Sequence, residues 1–155
     1  MKRDVLILTE GGKRFGFGHL ARCTALYQAF ESRDFTPRMV INGDGSAAAF
    51  TKGMASDVFC WFENGCLNNL LASGLDAVVI DSYWAPEPVY LAVSGAARSV
   101  VYLDDYKRLL YPPGFVVNAT ACPEQFLYPS REGTVYLLGE QYMPLRSVFW
   151  AVPQR

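Results

Sequence analysis

The sequence predicts an α/β domain built on a mostly parallel sheet with helices on both faces. Three observations carry that expectation. Short, almost wholly apolar runs recur along the chain: "VLIL" at 5–8, "MVI" at 39–41, "AVVI" at 77–80 and "VVYL" at 100–103. Strands apolar at consecutive positions are buried on both faces, as in parallel sheets, whereas a half-exposed strand alternates. Between these runs lie amphipathic stretches of helical period, with Gly, Pro and Asn marking the changes. Strands alternating with helices in this way are βα units, and their assembly is a three-layer, Rossmann-like architecture.

The elements follow in order. "DVLILT" (4–9) is the first strand. "GHLARCTALYQAFESR" is a helix that places Leu20, Cys23, Tyr27 and Phe30 near one face. "TPRMVIN" (36–42) is a strand closed by the turn "NGDG", and a small helix follows near Ser46–Lys52. A strand is expected at "DVFCWF" (57–62) and a helix at "CLNNLLASG", with Gly74 as its C-cap. "DAVVID" (76–81) is a strand, and "PEPVYLAVSGAA" (86–97) is a helix with Pro86 or Pro88 in its first turn. Strands at "SVVYLDD" (99–105), "GFVVNA" (114–119) and "TVYLLG" (134–139) complete the series.

Composition narrows the function classes. The chain of 155 residues is one domain's worth and can bury a substantial core. At 51% hydrophobic and 19% charged it is not a disordered segment. The net charge is −1 and no Lys/Arg run exceeds two residues, so neither nucleic acid nor an anionic membrane is an expected partner. The apolar run Val5–Leu8 is too short for a signal peptide, and nothing approaches the roughly 18 apolar residues of a membrane span. A soluble, cytoplasmic protein is expected. Cys23, Cys60, Cys66 and Cys122 form no Cys-x-x-Cys pair, and a single histidine cannot complete a usual zinc set. The cysteines therefore read as free thiols, with no metal site and no cofactor.

In parallel α/β sheets, ligands sit beyond the carboxyl ends of the strands. The residues there are "TEGG…GFGH", "NGDG", "DSY", "DDYKR", "NAT" and "GEQY". They nominate His19 as the catalytic residue, with Gly16, Gly18, Arg22, Asp81, Tyr83, Asp104, Asn118, Gly139 and Tyr142 as substrate-binding candidates. Gly16 to Ala21 formally matches the dinucleotide fingerprint G-x-G-x-x-G/A. Six residues separate it from the first strand, however, and Asn42 stands where an acidic residue belongs, so nicotinamide binding is disfavoured. A helix starting at Gly18 would instead aim free N–H groups at phosphate or sugar oxygens. The same helix terminus disfavours an imidazolium, so His19 enters as a proton acceptor and a candidate general base.

Arg22, three residues on, shares the face of His19 and either holds a carboxylate or anion or is simply solvated. Asp81 either orients a ligand hydroxyl or His19, or serves as a helix-entry carboxylate. Tyr83 offers a ring and one O–H, or plain packing. On a strand, Asp104 and Asp105 would point to opposite faces, which excludes a clamp made by that pair alone. A two-carboxylate glycosidase built from Asp81 and Asp104 remains open.

Five segments in order, "GFGHLARC", "VVIDSYW", "VYLDDYKR", "VVNAT" and "YLLGEQYMPLRSVFW", together resemble one family over nearly all of the chain. It is the N-terminal domain of the nucleotide-sugar hydrolases of pseudaminic-acid biosynthesis and their relatives in spore-coat polysaccharide synthesis. The resemblance implies the N-terminal half of a two-domain glycosyltransferase-B architecture. It also implies hydrolytic removal of UDP from UDP-2,4-diacetamido-2,4,6-trideoxy-β-L-altropyranose, with inversion and without a metal. His19 matches the family's catalytic histidine, and Tyr83 matches the tyrosine beside its sugar site. Residues 1–150 would then be the sugar-side domain and 151–155 the start of a linker to an absent C-terminal domain that holds most of the UDP. The acceptor domain of a related UDP-sugar transferase, or a non-catalytic sugar-binding module, are the other readings.

Overall fold

The run Val5–Leu8 becomes the middle of β1 (Arg3–Gly11), which is paired on both edges and buried on both faces by helices. The computed structural model describes residues 3–63, 65–72 and 74–151. Around β1 the chain lays down α1 (Gly18–Glu31), β2 (Phe35–Gly43), α2 (Gly45–Phe50), β3 (Ser56–Val58) and α3 (Cys66–Leu71). It continues with β4 (Leu75–Asp81), α4 (Glu87–Ser94), β5 (Ala97–Leu103), β6 (Gly114–Asn118) and β7 (Thr134–Leu138). The seven strands form one sheet in the order β3-β2-β1-β4-β5-β6-β7, and every pairing is parallel.

Alternate residues of β1 feed two separate cores. Val5 and Ile7 pack with Leu20, Cys23 and Tyr27 of α1 and Ala47 of α2. Leu6 and Leu8 pack with Leu67 of α3 and with Val89, Tyr90 and Val93 of α4. A strand two residues in period thus holds helices on both faces, which makes the α/β domain three-layered. Phe30 is half-buried against the α1 core, as its helical spacing predicts.

The expected bounds of four elements are corrected. The strand expected at 57–62 stops at Val58. Trp61 leaves the sheet, becomes fully buried and donates its indole N–H to the Thr9 carbonyl at 2.7 Å. An indole that finds both burial and an acceptor outweighs two more strand residues. The helix before β4 is capped at Ala72, so Gly74 lies outside it. α4 begins after Pro86, with Pro88 in its first turn, and ends at Ser94 with Gly95 as cap, which releases Ala97 to β5. β5 ends at Leu103, so Asp104 and Asp105 are loop residues and the opposite-faces argument does not apply to them. Of the expected linker 151–155, all but Ala151 lies outside the described residues.

No α-helix links β5 to β6 or β6 to β7 among the described residues. Tyr111 covers the sheet there instead, stacked on Tyr102 at 5.3 Å and edge-on to Tyr90 at 5.7 Å. Among the described residues no helix is long and apolar enough to cross a membrane.

Gly43 pairs with Gly11 at the carboxyl ends of β2 and β1. A Cβ on Gly43 would lie 2.1 Å from the Gly11 carbonyl oxygen, whereas one on Gly45 would meet nothing within 4 Å. Gly43→Ala is therefore expected to cost about 1–3 kcal/mol by overpacking, and Gly45→Ala to be near neutral. Urea unfolding of both variants checks this; equal stabilities would refute the close approach.

Candidate functional site

The strand order reverses between β1 and β4, because the chain leaves β1 toward β2 on one side and β4 toward β5 on the other. A crevice outside the carboxyl ends of those two strands is where such sheets bind ligands. Asp81, the last residue of β4, is fully buried there. Its Oδ1 accepts from His19 Nδ1 at 2.6 Å and from Arg22 Nη2 at 2.5 Å. Its Oδ2 accepts from Arg22 Nε at 2.5 Å and from the Cys23 thiol at 3.4 Å. All three donating residues come from α1, where spacings of three and four place them on one side of the helix.

Arg22 reaches further. Its Nη1 donates to Asp105 Oδ1 at 2.6 Å, and the other oxygen of Asp105 accepts from the Tyr83 hydroxyl. The Tyr83 ring meets the His19 ring edge-on with centroids 4.4 Å apart. His19, Asp81, Arg22, Asp105 and Tyr83 thus form a closed circuit that ties α1 to the ends of β4 and β5.

Proton affinities follow the circuit. Burial alone would lower that of Arg22, but hydrogen bonds and charge from Asp81 and Asp105 outweigh it and hold the guanidinium well above its usual value. Burial would raise Asp105, yet its bonds from Arg22 and Tyr83 keep it below the usual carboxylate value. Tyr83 is raised, first by burial and then by its bond to Asp105. Burial also pushes the Cys23 thiol well up, which makes it an inert packing group.

Two site residues were missed by sequence reasoning. Glu10, buried at the end of β1, accepts from Ser82 Oγ at 2.5 Å and from the Tyr83 N–H at 2.7 Å. Its Oε1 lies 3.7 Å from His19 Nε2. The helix dipole is therefore not the ring's only electrostatic neighbour, since a carboxylate faces each nitrogen. Position alone could have found Glu10, because it stands in the "TEGG" run that the strand-end rule singles out. Asp105 faces Arg22 only because β5 ends at Leu103 and leaves it in a loop, which the apolar pattern of 99–105 does not show.

The other nominated residues fall into two groups. Gly16 and Gly18 shape the approach to α1. Gly16, at φ +80°, closes a two-bond bridge with Gly12, so its own N–H is taken by the Gly12 carbonyl at 2.8 Å. Gly18 opens α1, whose N-terminus has no side-chain cap. Asp104, Asn118, Gly139 and Tyr142 are not brought into the circuit. Asp104 is buried, accepting from the Lys107 N–H at 2.8 Å and from Tyr128 Oη at 2.5 Å. Asn118 is buried, donating to Tyr128 Oη at 3.0 Å and accepting from the Thr120 N–H at 3.0 Å. Gly139 donates its N–H to the Asn118 carbonyl at 2.8 Å. Tyr142 lines a groove beside α1 with Leu26, Ala29 and Trp150. Asp104, Asn118 and Gly139 brace loops.

Among the described residues, no group of three or more His, Cys, Asp or Glu side chains is placed to hold a metal ion. No family model matches the chain, and no curated protein matches it.

Asp81 is the group whose loss the site should tolerate least. Asp81→Asn leaves a buried guanidinium half-paired and is expected to cost about 3–5 kcal/mol in denaturant unfolding; a loss under about 1 kcal/mol would refute the circuit's role in stability. Asp105, with its folded value depressed, contributes stability that is present above the ordinary carboxyl value of about 3.9 and lost as pH falls through the folded value. Asp105→Asn should flatten the acid limb of stability below about pH 4. An unchanged limb in urea titrations across that range would count against the ion pair.

Proposed function

We propose that this domain is the sugar-side half of a nucleotide-sugar hydrolase, with His19 as general base toward water at the anomeric carbon. The observation that carries the reading is the buried Asp81–His19 pair at the reversal of strand order. Asp81 holds the hydrogen of Nδ1, so Nε2 is the nitrogen left to take a proton from water. The nitrogen that takes up the proton lies 3.7 Å from Glu10 Oε1. The imidazolium that forms is flanked by a carboxylate at each nitrogen. The oxygen of water bonds the anomeric carbon as the bond from that carbon to the phosphate oxygen breaks, and the nucleoside diphosphate departs with the electron pair.

Charge assigns the parts of the substrate. Glu10, Asp81 and Asp105 outnumber Arg22 and His19 even when the ring is protonated. Such a site suits a neutral glycosyl group and repels a diphosphate. The nucleotide is then gripped elsewhere, as the resemblance to two-domain UDP-sugar hydrolases implies. Tyr83, half-exposed beside His19, offers a ring edge and a hydroxyl to the sugar.

His19→Ala is expected to slow UDP release from a UDP-sugar about 10²–10⁴-fold, assayed in the two-domain protein that the reading requires. Turnover close to that of the unmodified protein would remove His19 from this role. Release of UDP only when a sugar acceptor is added would favour the transferase reading. Binding of the UDP-sugar with no release under any condition would favour a non-catalytic module.

A further inference from the structure

A second cavity, of about 380 Å³, opens at the carboxyl ends of the sheet, and the circuit does not use it. Phe15 and Arg14 line it from the loop before α1, Asn42 from the end of β2, Phe62 and Glu63 from the loop after β3, and Trp84 from the loop after β4. The volume falls within the range of small-molecule pockets. Trp84 is 59% exposed, which is unusual for so large an apolar side chain. It is nevertheless held in place. Its backbone N–H donates to Ser82 Oγ at 3.1 Å, its ring meets Phe15 edge-on at 5.9 Å, and the Arg14 guanidinium lies 5.6 Å from the indole centroid and 5.2 Å from that of the Phe15 ring. Among the described residues Arg14 makes no ion pair, and neither Arg14 nor Asn42 makes a side-chain hydrogen bond. Fixed aromatic surface and unengaged planar donors therefore share one cavity.

That combination selects a ligand with one apolar face and a polar edge. A pyranose has both: ring C–H groups for an aromatic surface, and hydroxyls that accept from Arg14 and Asn42 and donate to Glu63. Phe15 and Trp84 stand at 76°, so they form no parallel slot that would sandwich a nucleobase on both faces. A simple anion would gain nothing from three aromatic walls and would be repelled by Glu63. We propose that this cavity is a pyranose-binding subsite, which holds a second, neutral hexose unit beside the one that His19 serves. The two places share their walls: Trp84 follows Tyr83, which touches the His19 ring, and Phe15 belongs to the loop that leads into His19. Calling the sugar the second one rests on the proposed hydrolase reading; the binding itself does not.

The test is an NMR titration of the full 155-residue chain, labelled with ¹⁵N, with methyl β-D-glucopyranoside and, separately, uridine. The chain has three tryptophans, so the indole signals are few and assignable by substitution. The glucoside is expected to shift the Trp84 indole signal saturably and to leave that of Trp150 in place. Trp84→Ala and Arg14→Gln, both at exposed positions, should each weaken binding about tenfold as read from the backbone signals of 14–17. Trp150→Ala, at an exposed position away from the cavity, should bind the glucoside as the unmodified chain does. The proposal is overturned if the glucoside leaves Trp84 unmoved, if uridine shifts it instead, or if Trp150→Ala abolishes the effect. UDP release without any glucoside binding would remove the subsite and leave the His19 reading standing. Glucoside binding at Trp84 with no dependence of UDP release on His19 would do the reverse.

Discussion

A buried carboxylate, Asp81, stands where the strand order of the sheet reverses, and the neighbouring groups are arranged to satisfy it. Removing an ionised carboxylate from water costs several kcal/mol unless it is paired and hydrogen-bonded. Here the pairing comes from α1, through His19 and Arg22 on one side of the helix. The opposite requirement acts on the same helix, because Leu20 and Tyr27 must be buried against β1 and β2. Together they fix the rotation of α1 about its axis. Cys23 meets both demands at once, packed in the core with its thiol toward Asp81.

From Asp81 the constraint spreads along the strand ends. Arg22 bridges to Asp105 beyond β5, and Asp105 in turn holds the hydroxyl of Tyr83 beyond β4. Glu10 closes the other side, drawing the loop of Ser82 and Tyr83 down onto the end of β1. A ring with a carboxylate near each nitrogen, in a region with excess negative charge, suits proton transfer next to an uncharged group. The same surplus charge would repel a diphosphate. Aromatic and planar polar groups gather one loop further along, around Trp84.

Most of the fold was legible because apolar runs and helical periods report burial directly. Where that reading slipped, tertiary contacts decided. "DVFCWF" is apolar enough for a strand, yet Trp61 is buried off the sheet, held by a carbonyl of β1. An apolar run alone cannot tell whether its residues are buried by pairing or by tucking under a neighbour. Asp104 and Asp105 were expected on a strand, and β5 ended two residues too soon for that. Freed from the sheet, Asp104 turned inward to brace residues 106–108 and Tyr128, and Asp105 turned to Arg22. Asn118 and Gly139 stand at strand ends as ligand-binding residues often do, but their hydrogen bonds are taken by the loops they brace.

The sequence by itself determined the layered α/β architecture, the strand ends that matter, and the nomination of His19, Arg22, Asp81 and Tyr83. Each of these follows from local pattern, since burial of consecutive residues, helical spacing and position after a strand are all visible in one dimension. Tertiary structure alone decided that these four residues share one circuit, that Asp105 closes it, and that Glu10 stands beside the ring. A contact between residue 10 and residue 83, or between 22 and 105, depends on strand order. Strand order is settled by how whole βα units pack, and no stretch of sequence short enough to show a pattern contains that information.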